Sequence, residues 1–232
     1  LNGIVENIYL NDYLRVLNDN WQPNVKEYQN SSLKYQKDFY TTNVEPIVAN
    51  NQKAFIIISD ALRYECAVEL KNNILGLNRY SADIEPMVGV LPSFTQLGIA
   101  SLLPNEKLGF NGKDDTVYID DSSSKGTINR DKILKKSNPE SAYIDSESFL
   151  DFNRDNGREF AKAHQIIYIY HNEIDATGDK SASEHKVFDA VEDSFTTIEK
   201  IIKQIANFNG SNILITSDHG FLYQNTPTAD SE

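Results

Sequence analysis

Cysteine, methionine and tryptophan are scarce in this chain of 232 residues, which has one of each. The single cysteine, Cys66, cannot form a disulfide framework within the chain. Proteins without disulfides are typical of reducing compartments, so we expect a cytoplasmic location. No histidine stands beside Cys66 in the sequence, which favours a small buried hydrophobic residue over a nucleophile.

Long apolar runs are also absent. No stretch approaches the ~20 consecutive apolar residues that span a bilayer. Residues 1–15 lack the basic and then apolar pattern of a secretory signal. We therefore expect no membrane partner.

Positive charge is in short supply as well. The chain has 22 Lys and Arg against 34 Asp and Glu, and its formal net charge is -12. Because Lys and Arg are the residues that bind phosphate backbones, we expect no strong nucleic-acid binding. A phosphate ligand would need bound divalent cations, which can invert the local field where carboxylates cluster.

The apolar periodicity that is present predicts an α/β protein. A buried strand at 54–59 is followed by a helix near 61–75, in which Leu62, Ala67, Leu70 and Leu75 can form an inward stripe. Further strands are predicted at 81–90, 116–120, 141–144, 165–170 and 212–217, and further helices near 95–103, 128–136, 147–163 and 183–207. This alternation favours a doubly wound, mostly parallel sheet with helices on both faces.

Residues 1–50 lack this alternation and are predicted to be a helical N-terminal segment. Apolar residues recur at helical spacing over 3–20, and 24–48 is polar with scattered aromatic residues, so two helices are expected. They form either an appendage or the tail of a missing upstream domain. Residues 51–232 would be the core, and because the chain stops shortly after a candidate site motif we expect that core to be truncated at its C-terminus.

Two buried strands each end in residues that can bind a metal ion. Asp60 closes the apolar run 55–59, and Asp218-His219-Gly220 follows the apolar run 212–216. Strands of a parallel sheet bring their carboxyl ends to one crevice, so these distant residues can meet around one ion. The alternative is that they are turn residues that cap the following helices.

A third candidate group, the carboxylates of Asp175 and Asp179, follows the apolar segment 165–170. The intervening Gly178 permits a tight backbone, so both carboxylates can turn back on one ion. By itself the pattern also fits an ordinary turn or helix cap.

A possible nucleophile lies where a Pro-Ser turn leads into the helix predicted near 95–103. A hydroxyl of Thr95 at that helix start would face an anion stabilised by the exposed N–H groups and the positive helix end. Ser93 is the second candidate on the same turn, and the alternative role for both residues is a helix cap.

The candidate site residues lie in three segments, residues 58–65 (ISDALRYE), 170–179 (YHNEIDATGD) and 216–221 (TSDHGF). Together these segments resemble the PglZ family, a branch of the alkaline phosphatase superfamily found in phage growth limitation and BREX phage-defence systems of bacteria and archaea. The resemblance runs from about Ala54 to Tyr223 and includes residues 121–126, with the motifs in the same order and spacing.

The resemblance implies an alkaline-phosphatase-like core with two divalent metal ions, usually zinc in relatives, that hold a phosphoryl or sulfuryl group for in-line displacement. It also implies other BREX defence proteins as partners. Asp60, Asp218 and His219 match the ligands of one metal. Thr95 matches the superfamily nucleophile, which also binds that metal, and Asp175 matches the first ligand of the second metal.

Asp179 is a departure from the family pattern, because many relatives have histidine at that position. An aspartate there makes the second site richer in oxygen and shifts its preference toward manganese or magnesium. Relatives also supply a further histidine well beyond the Asp-His-Gly motif, which leaves the completeness of the second site open.

The hypothesis from sequence is a metal-dependent phosphatase or phosphodiesterase in which Thr95 attacks phosphorus between the two metals. The substrate, a phosphorylated compound or phosphodiester, is left open. Arg63 could bind its phosphate, although a salt bridge with a nearby carboxylate fits equally well. The alternatives are phosphoryl or sulfuryl transfer, or a non-catalytic, metal-stabilised scaffold or binding module in the defence complex.

Overall fold

The structure is a computed structural model that describes residues 2–30, 32–112, 114, 116–178 and 186–223. The helical segment within residues 2–30 belongs to one compact unit, and the described residues from Lys34 to Gly220 belong to another.

The first unit contains consecutive helical stretches. They are α1 (Asn2–Asn7), a π-helical turn (Ile8–Leu14), α2 (Arg15–Trp21) and a 3-10 stretch (Gln22–Asn30). A helix over 3–20 is therefore confirmed. The second predicted helix, over 24–48, is wrong in part, because Lys34–Tyr35 is a strand within it.

The second unit holds all strands of the described residues. They are β1 (Lys34–Tyr35), β2 (Ala54–Ser59), β3 (Met87–Val88), β4 (Leu108–Phe110), β5 (Val117–Ile119), β6 (Ser122–Ser123), β7 (Ser141–Asp145), β8 (Ile166–His171) and β9 (Asn212–Thr216). The helices are α3 (Glu45–Ala49), α4 (Tyr64–Leu75), α5 (Thr95–Leu102), α6 (Thr127–Ser137), α7 (Ser146–Leu150), α8 (Arg154–Ala163), α9 (Glu173–Gly178) and α10 (Val187–Asn207), with a 3-10 turn (Gln36–Asp38) and a π-helical turn (Tyr40–Val44) before α3.

The main sheet is fully parallel, in the order β7-β8-β2-β9. Every residue of the central strand β2 is buried, which is why its sequence is apolar without alternation. Ala54 pairs with Ile166 on one side and with Asn212 on the other, so β2, β8 and β9 run in step. Their carboxyl ends therefore lie at the same edge of the sheet.

Helices pack on both faces of this sheet. On one face Ile56 and Ile58 share a core cluster with Ile99 and Leu102 of α5. On the other, Phe55 and Ile205 of α10 both approach Gly210: a Cβ there would lie 2.4 Å from Ile205 Cγ2 and 2.5 Å from Phe55 Cε2. The predicted doubly wound α/β class is confirmed.

Two predicted strands play other roles. Of the stretch 81–90, only β3 is a strand, and it pairs with β1 in a separate two-stranded sheet. The stretch 116–120 contains β5, which lies in an antiparallel sheet in the order β4-β5-β6. Apolar periodicity indicates that a segment is extended, but it does not identify its partner strand.

Two helix predictions need correction. The helix predicted over 147–163 is two helices, because Asn153 caps α8 by accepting hydrogen bonds from the N–H groups of Asp155 and Asn156 at 3.1 and 2.9 Å. In α4, Ile74 rather than Leu75 completes the buried stripe: Ile74 is 6% exposed and Leu75 is 45% exposed. The last predicted helix begins at Val187 in the described residues.

Across the described residues, none of the helices has both the length and the apolar character that crossing a membrane would require.

Candidate metal centre

Asp60 and Asp218 stand at the carboxyl ends of β2 and β9. Asp60 is 0% exposed and Asp218 is 3% exposed. The next residue, Ala61, has a φ of 62°, a left-handed conformation that costs a non-glycine residue roughly 1–2 kcal/mol. This turn lets the Ala61 N–H donate to Asp218 Oδ1 at 3.2 Å. The left-handed backbone at Ala61 thus permits a hydrogen bond that links the ends of β2 and β9.

His219 completes a three-residue cluster with these carboxylates. Its Nε2 lies 3.4 Å from Asp60 Oδ1 and 3.4 Å from Asp218 Oδ2. One ligand atom from each residue lies within 4.8 Å of the others. Within the described chain, the two facing carboxylate oxygens, Asp60 Oδ1 and Asp218 Oδ2, are buried without a hydrogen-bond partner. Buried oxygens of this kind need a counter-charge, so the donor set fits a divalent cation.

The other polar atoms of the cluster are held by the surrounding protein. The Tyr170 hydroxyl donates to Asp60 Oδ2 at 2.6 Å, which leaves Oδ1 directed at the cluster. His219 Nδ1 lies 2.9 Å from the Gly220 carbonyl oxygen. A carbonyl only accepts, so Nδ1 carries a proton, and Nε2 is the ring nitrogen that faces the carboxylates.

Burial and charge shift the pKa values of all three residues. Burial, with the nearby charge of Asp218, raises the pKa of Asp60 to about 7. Burial likewise raises the pKa of Asp218. Burial alone would lower the pKa of His219, but the carboxylates of Asp218, Asp60 and Asp175 raise it overall. The cluster therefore holds protons near neutral pH that a cation would displace.

Thr95 lies at the first position of α5, after the extended residue Phe94. Its Oγ1 is 3.0 Å from His219 Nε2, within hydrogen-bonding distance of the ring nitrogen that faces the two carboxylates. Close packing of α5 against the Asp218 backbone explains this placement: a Cβ at Gly98 would lie 2.4 Å from the Asp218 carbonyl oxygen. Only glycine lets the helix start approach so closely.

The predicted ligands of a second metal are placed only in part. Asp175 lies in α9 and is half-buried. It is not a member of the three-residue cluster, although its charge contributes to the raised pKa of His219. Asp179 lies outside the described residues.

Arg63 lies next to the three-residue cluster of Asp60, Asp218 and His219. Its guanidinium forms a salt bridge with Glu65, in line with the alternative reading of this residue. Its Cγ lies 3.3 Å from where a Cβ of Gly220 would be, so its side chain packs against the Asp-His-Gly turn.

Gln36 is a residue that the sequence did not reveal. It is 2% exposed, and its Nε2 donates to the carbonyl oxygens of Ser217 and Asp218 at 3.0 and 2.7 Å. Its Oε1 accepts from the Val90 N–H at 3.0 Å. Gln36 thus fixes the turn that carries Asp218, but a glutamine in a polar segment gives no signal of such a role.

Tyr170 and Arg130 form a layer behind Asp60 that the sequence also did not reveal. The buried Arg130 guanidinium lies 5.7 Å from the ring centroids of Tyr143 and Tyr170. Its Nη1 donates to the Tyr143 hydroxyl at 3.1 Å and its Nε donates to the Ser124 carbonyl at 3.1 Å. A cation over the Tyr170 ring strengthens its hydroxyl as a donor to Asp60. The only available signal was the strand periodicity that puts Tyr170 on the same face as Ile58.

A parallel sheet with an Asp, Asp and His cluster at its carboxyl edge, next to a helix that begins with threonine, defines an alkaline-phosphatase-like α/β domain. Comparison with known proteins narrows this class. Residues 39–232 match the family model of the BREX system PglZ alkaline phosphatase-like domain. The chain belongs to the PglZ family, as the motifs predicted.

Two curated relatives are similar over nearly the whole chain. The alkaline phosphatase-like protein BrxZ of Escherichia coli O9:H4 (strain HS) is 39% identical over 97% of this chain and 27% of its own length. The alkaline phosphatase-like protein PglZ of Bacillus cereus (strain H3081.97) is 42% identical over 94% of this chain and 26% of its own length. The chain thus spans about a quarter of the length of these relatives.

Proposed function

We propose that this chain forms the catalytic core of a metal-dependent phosphoric ester hydrolase in which Thr95 is the nucleophile. One observation carries the proposal: Thr95 Oγ1 meets the Nε2 of His219, where two buried carboxylate oxygens of Asp60 and Asp218 have no partner among the described residues. The nucleophile and the ligand atoms therefore converge on one point.

Asp60, Asp218, His219 and Thr95 would hold one cation, and Asp175 with Asp179 would contribute to a second. When bound, such cations lower the pKa of a hydroxyl and neutralise the non-bridging oxygens of a phosphoryl group. Zinc is the metal expected from the family resemblance, and manganese or magnesium suit the oxygen-rich donor set.

The reaction itself uses the position of Thr95 at the start of α5. Its Oγ1 loses its proton to solvent and attacks phosphorus, the bond between phosphorus and the leaving oxygen breaks with its electron pair going to that oxygen, and a phosphothreonine forms. Water then cleaves that ester and restores the hydroxyl. The first N–H groups of α5 have no partner within the helix and would be available to bind phosphoryl oxygens.

The biological setting of the proposal follows from the family. Other proteins of a BREX defence system are the proposed partners, in the cytoplasm, and the substrate is a phosphorylated compound or phosphodiester. The similar proteins from E. coli and B. cereus are named alkaline phosphatase-like, which agrees with this reaction class.

Replacing Thr95 tests the nucleophile. In the protein at its complete natural length, with Zn²⁺ or Mn²⁺, we expect Thr95→Ala to lower turnover of an aryl phosphate monoester or diester by at least about 100-fold, and Thr95→Ser to retain part of it. The measurement is release of the coloured phenolate, with metal affinity determined in parallel. Equal turnover by wild type and Thr95→Ala would refute the assignment.

The same assay separates hydrolysis from the scaffold alternative. A scaffold would bind metal through Asp218 and lose stability when the metal is removed, yet hydrolyse neither ester with either metal. We expect hydrolysis by the wild type that disappears in Asp218→Ala together with metal binding.

A further inference from the structure

Three buried side-chain atoms in the described residues have no hydrogen-bond partner: Asp60 Oδ1, Asn172 Oδ1 and Asp218 Oδ2. Each belongs to a residue that follows a strand of the main sheet, namely β2, β8 and β9. The two aspartates belong to the metal cluster described above, whereas Asn172 has no role there. A buried amide oxygen without a partner is costly, so Asn172 also calls for a ligand.

Asn172 and Asp60 directly follow the paired ends of β8 and β2. The last register pair of β2 and β8 is Ser59 with His171, and the Asp60 N–H donates to the His171 carbonyl at 2.8 Å. This bond extends the parallel pairing by one residue, so that Asp60 and Asn172 are neighbours. Since β2 lies between β8 and β9, Asn172 is on one side of Asp60 and Asp218 is on the other.

The side chain of Asn172 belongs to the same face of β8 as a residue already in contact with Asp60. Alternate residues of a strand share a face, so Asn172 shares that of Tyr170, whose hydroxyl donates to Asp60 Oδ2. His171 faces the other way, and both of its ring nitrogens are engaged, with Ser59 Oγ and with Glu173 Oε2, each at 3.1 Å. Asn172, not His171, is therefore the ligand candidate of this segment.

We propose that Asn172 Oδ1 is a further ligand of the divalent cation held by Asp60, Asp218 and His219. This inference rests on the proposed function, because it assumes a cation at that cluster. An amide oxygen is a neutral, hard donor, and with the two carboxylates and Thr95 Oγ1 it gives the site four oxygens and one nitrogen. Such a set suits the higher coordination number of Mn²⁺ or Mg²⁺ better than four-coordinate Zn²⁺.

Calorimetric titration with MnCl₂ and ZnCl₂ tests the role of Asn172. Asn172→Leu keeps a similar volume but removes the oxygen, and we expect it to weaken Mn²⁺ binding by about 10- to 100-fold and Zn²⁺ binding by less. Asn172→Asp keeps an oxygen and should bind Mn²⁺ at least as tightly as the wild type. The matched control Asn50→Leu, at an exposed position, should leave both affinities unchanged.

The outcomes separate this inference from the proposed function. If the wild type binds neither metal, or if Asp218→Ala binds as tightly as the wild type, the metal site itself is refuted. If Asp218→Ala loses binding while a folded Asn172→Leu keeps the wild-type Mn²⁺ affinity, only the role of Asn172 is overturned. Should Asn172→Leu fail to fold, weaker Mn²⁺ binding by Asn172→Asp overturns it instead.

Discussion

At the scale of single residues, the metal cluster contains groups that oppose folding when no cation is bound. Asp60 and Asp218 bring two carboxylates into a buried space, each with an oxygen that lacks a partner among the described residues, beside the left-handed Ala61. Sites that bind charge are expected to carry such local instability, because the ligand supplies the missing interactions.

Asp218→Asn should therefore change the stability of the metal-free protein and its metal affinity in opposite directions. Asparagine keeps an acceptor for the Ala61 N–H and adds a donor that can reach Asp60 Oδ1, while it removes one charge. We expect the free energy of unfolding of the metal-free protein to rise by about 1–2 kcal/mol at pH 8, and metal affinity to fall. Urea unfolding in a chelating buffer measures the first effect, and calorimetry the second.

Asp145→Asn is the control for that substitution. Asp145 caps α7, where it accepts from the Ser148 N–H at 2.8 Å, and asparagine caps a helix about as well. The free energy of unfolding of the Asp145→Asn variant should hardly differ from that of the wild type. A metal-free Asp218→Asn variant that is less stable than the wild type would contradict the view that the two carboxylates destabilise each other.

At the scale of elements, the strand ends were predictable and the contacts that support them were not. The apolar runs that became β2, β8 and β9 placed Asp60 and Asp218 correctly at one edge, because parallel strands leave little freedom there. Gln36 binds the carbonyl of Asp218 across 182 positions of sequence, and neither residue carries a local pattern for it. Supporting contacts of this kind depend on how elements pack.

Gly98 is the sharpest case of such packing, and Gly98→Ala tests it. The added Cβ would overlap the backbone of Asp218, which cannot move without moving the metal cluster. We expect the free energy of unfolding to fall by about 1–3 kcal/mol, despite the better helix propensity of alanine, and metal affinity to fall with it.

Gly109→Ala is the matched control, because a Cβ at Gly109 meets no atom within 4 Å. It should be neutral or slightly stabilising. Chemical denaturation and calorimetry on both variants make the comparison. If Gly98→Ala were as stable as Gly109→Ala, the close approach of α5 to Asp218 would not be a determinant of the site.

At the scale of the whole molecule, the stability of the metal-free protein should fall as pH rises toward neutrality, whereas its metal affinity should rise. Burial raises the pKa of Asp60 from 3.8 to about 7, so the metal-free folded state binds more protons than the unfolded state between those values. Protonated Asp60 thus contributes to the stability of the metal-free protein, and this contribution is complete at low pH and is lost as pH rises through about 7. A bound cation replaces the proton, so metal affinity should increase over the same range.

The comparison of wild type with Asp60→Asn tests the contribution of Asp60 together with its effect on the titration of Asp218 and His219. In a chelating buffer, the wild type should lose stability relative to Asp60→Asn between pH 5 and pH 8, a range chosen around the raised pKa of Asp60. Urea unfolding at both pH values provides the measurement. A constant difference between the two proteins would mean that Asp60 does not titrate between pH 5 and pH 8 in the folded state.

The fold class was predictable from sequence because alternating apolar strands and amphipathic helices have few ways to bury their apolar faces. The residues around Asp175 and Asp179 show where that reasoning ends. A carboxylate after a strand can be a ligand or a turn residue, and the choice depends on the packing of the segment that follows.

The hydrogen bond from Ala61 to Asp218 joins residues 157 positions apart. During synthesis on a ribosome, Asp60 would emerge long before Asp218 and His219, and β2 would lack the neighbour that β9 provides. A cation held by all three residues of the cluster would therefore require that the intervening chain has been made and folded. Metal binding at this cluster would then require that β9 has paired with β2, and chains that end before Asp218 would lack two of the three ligands.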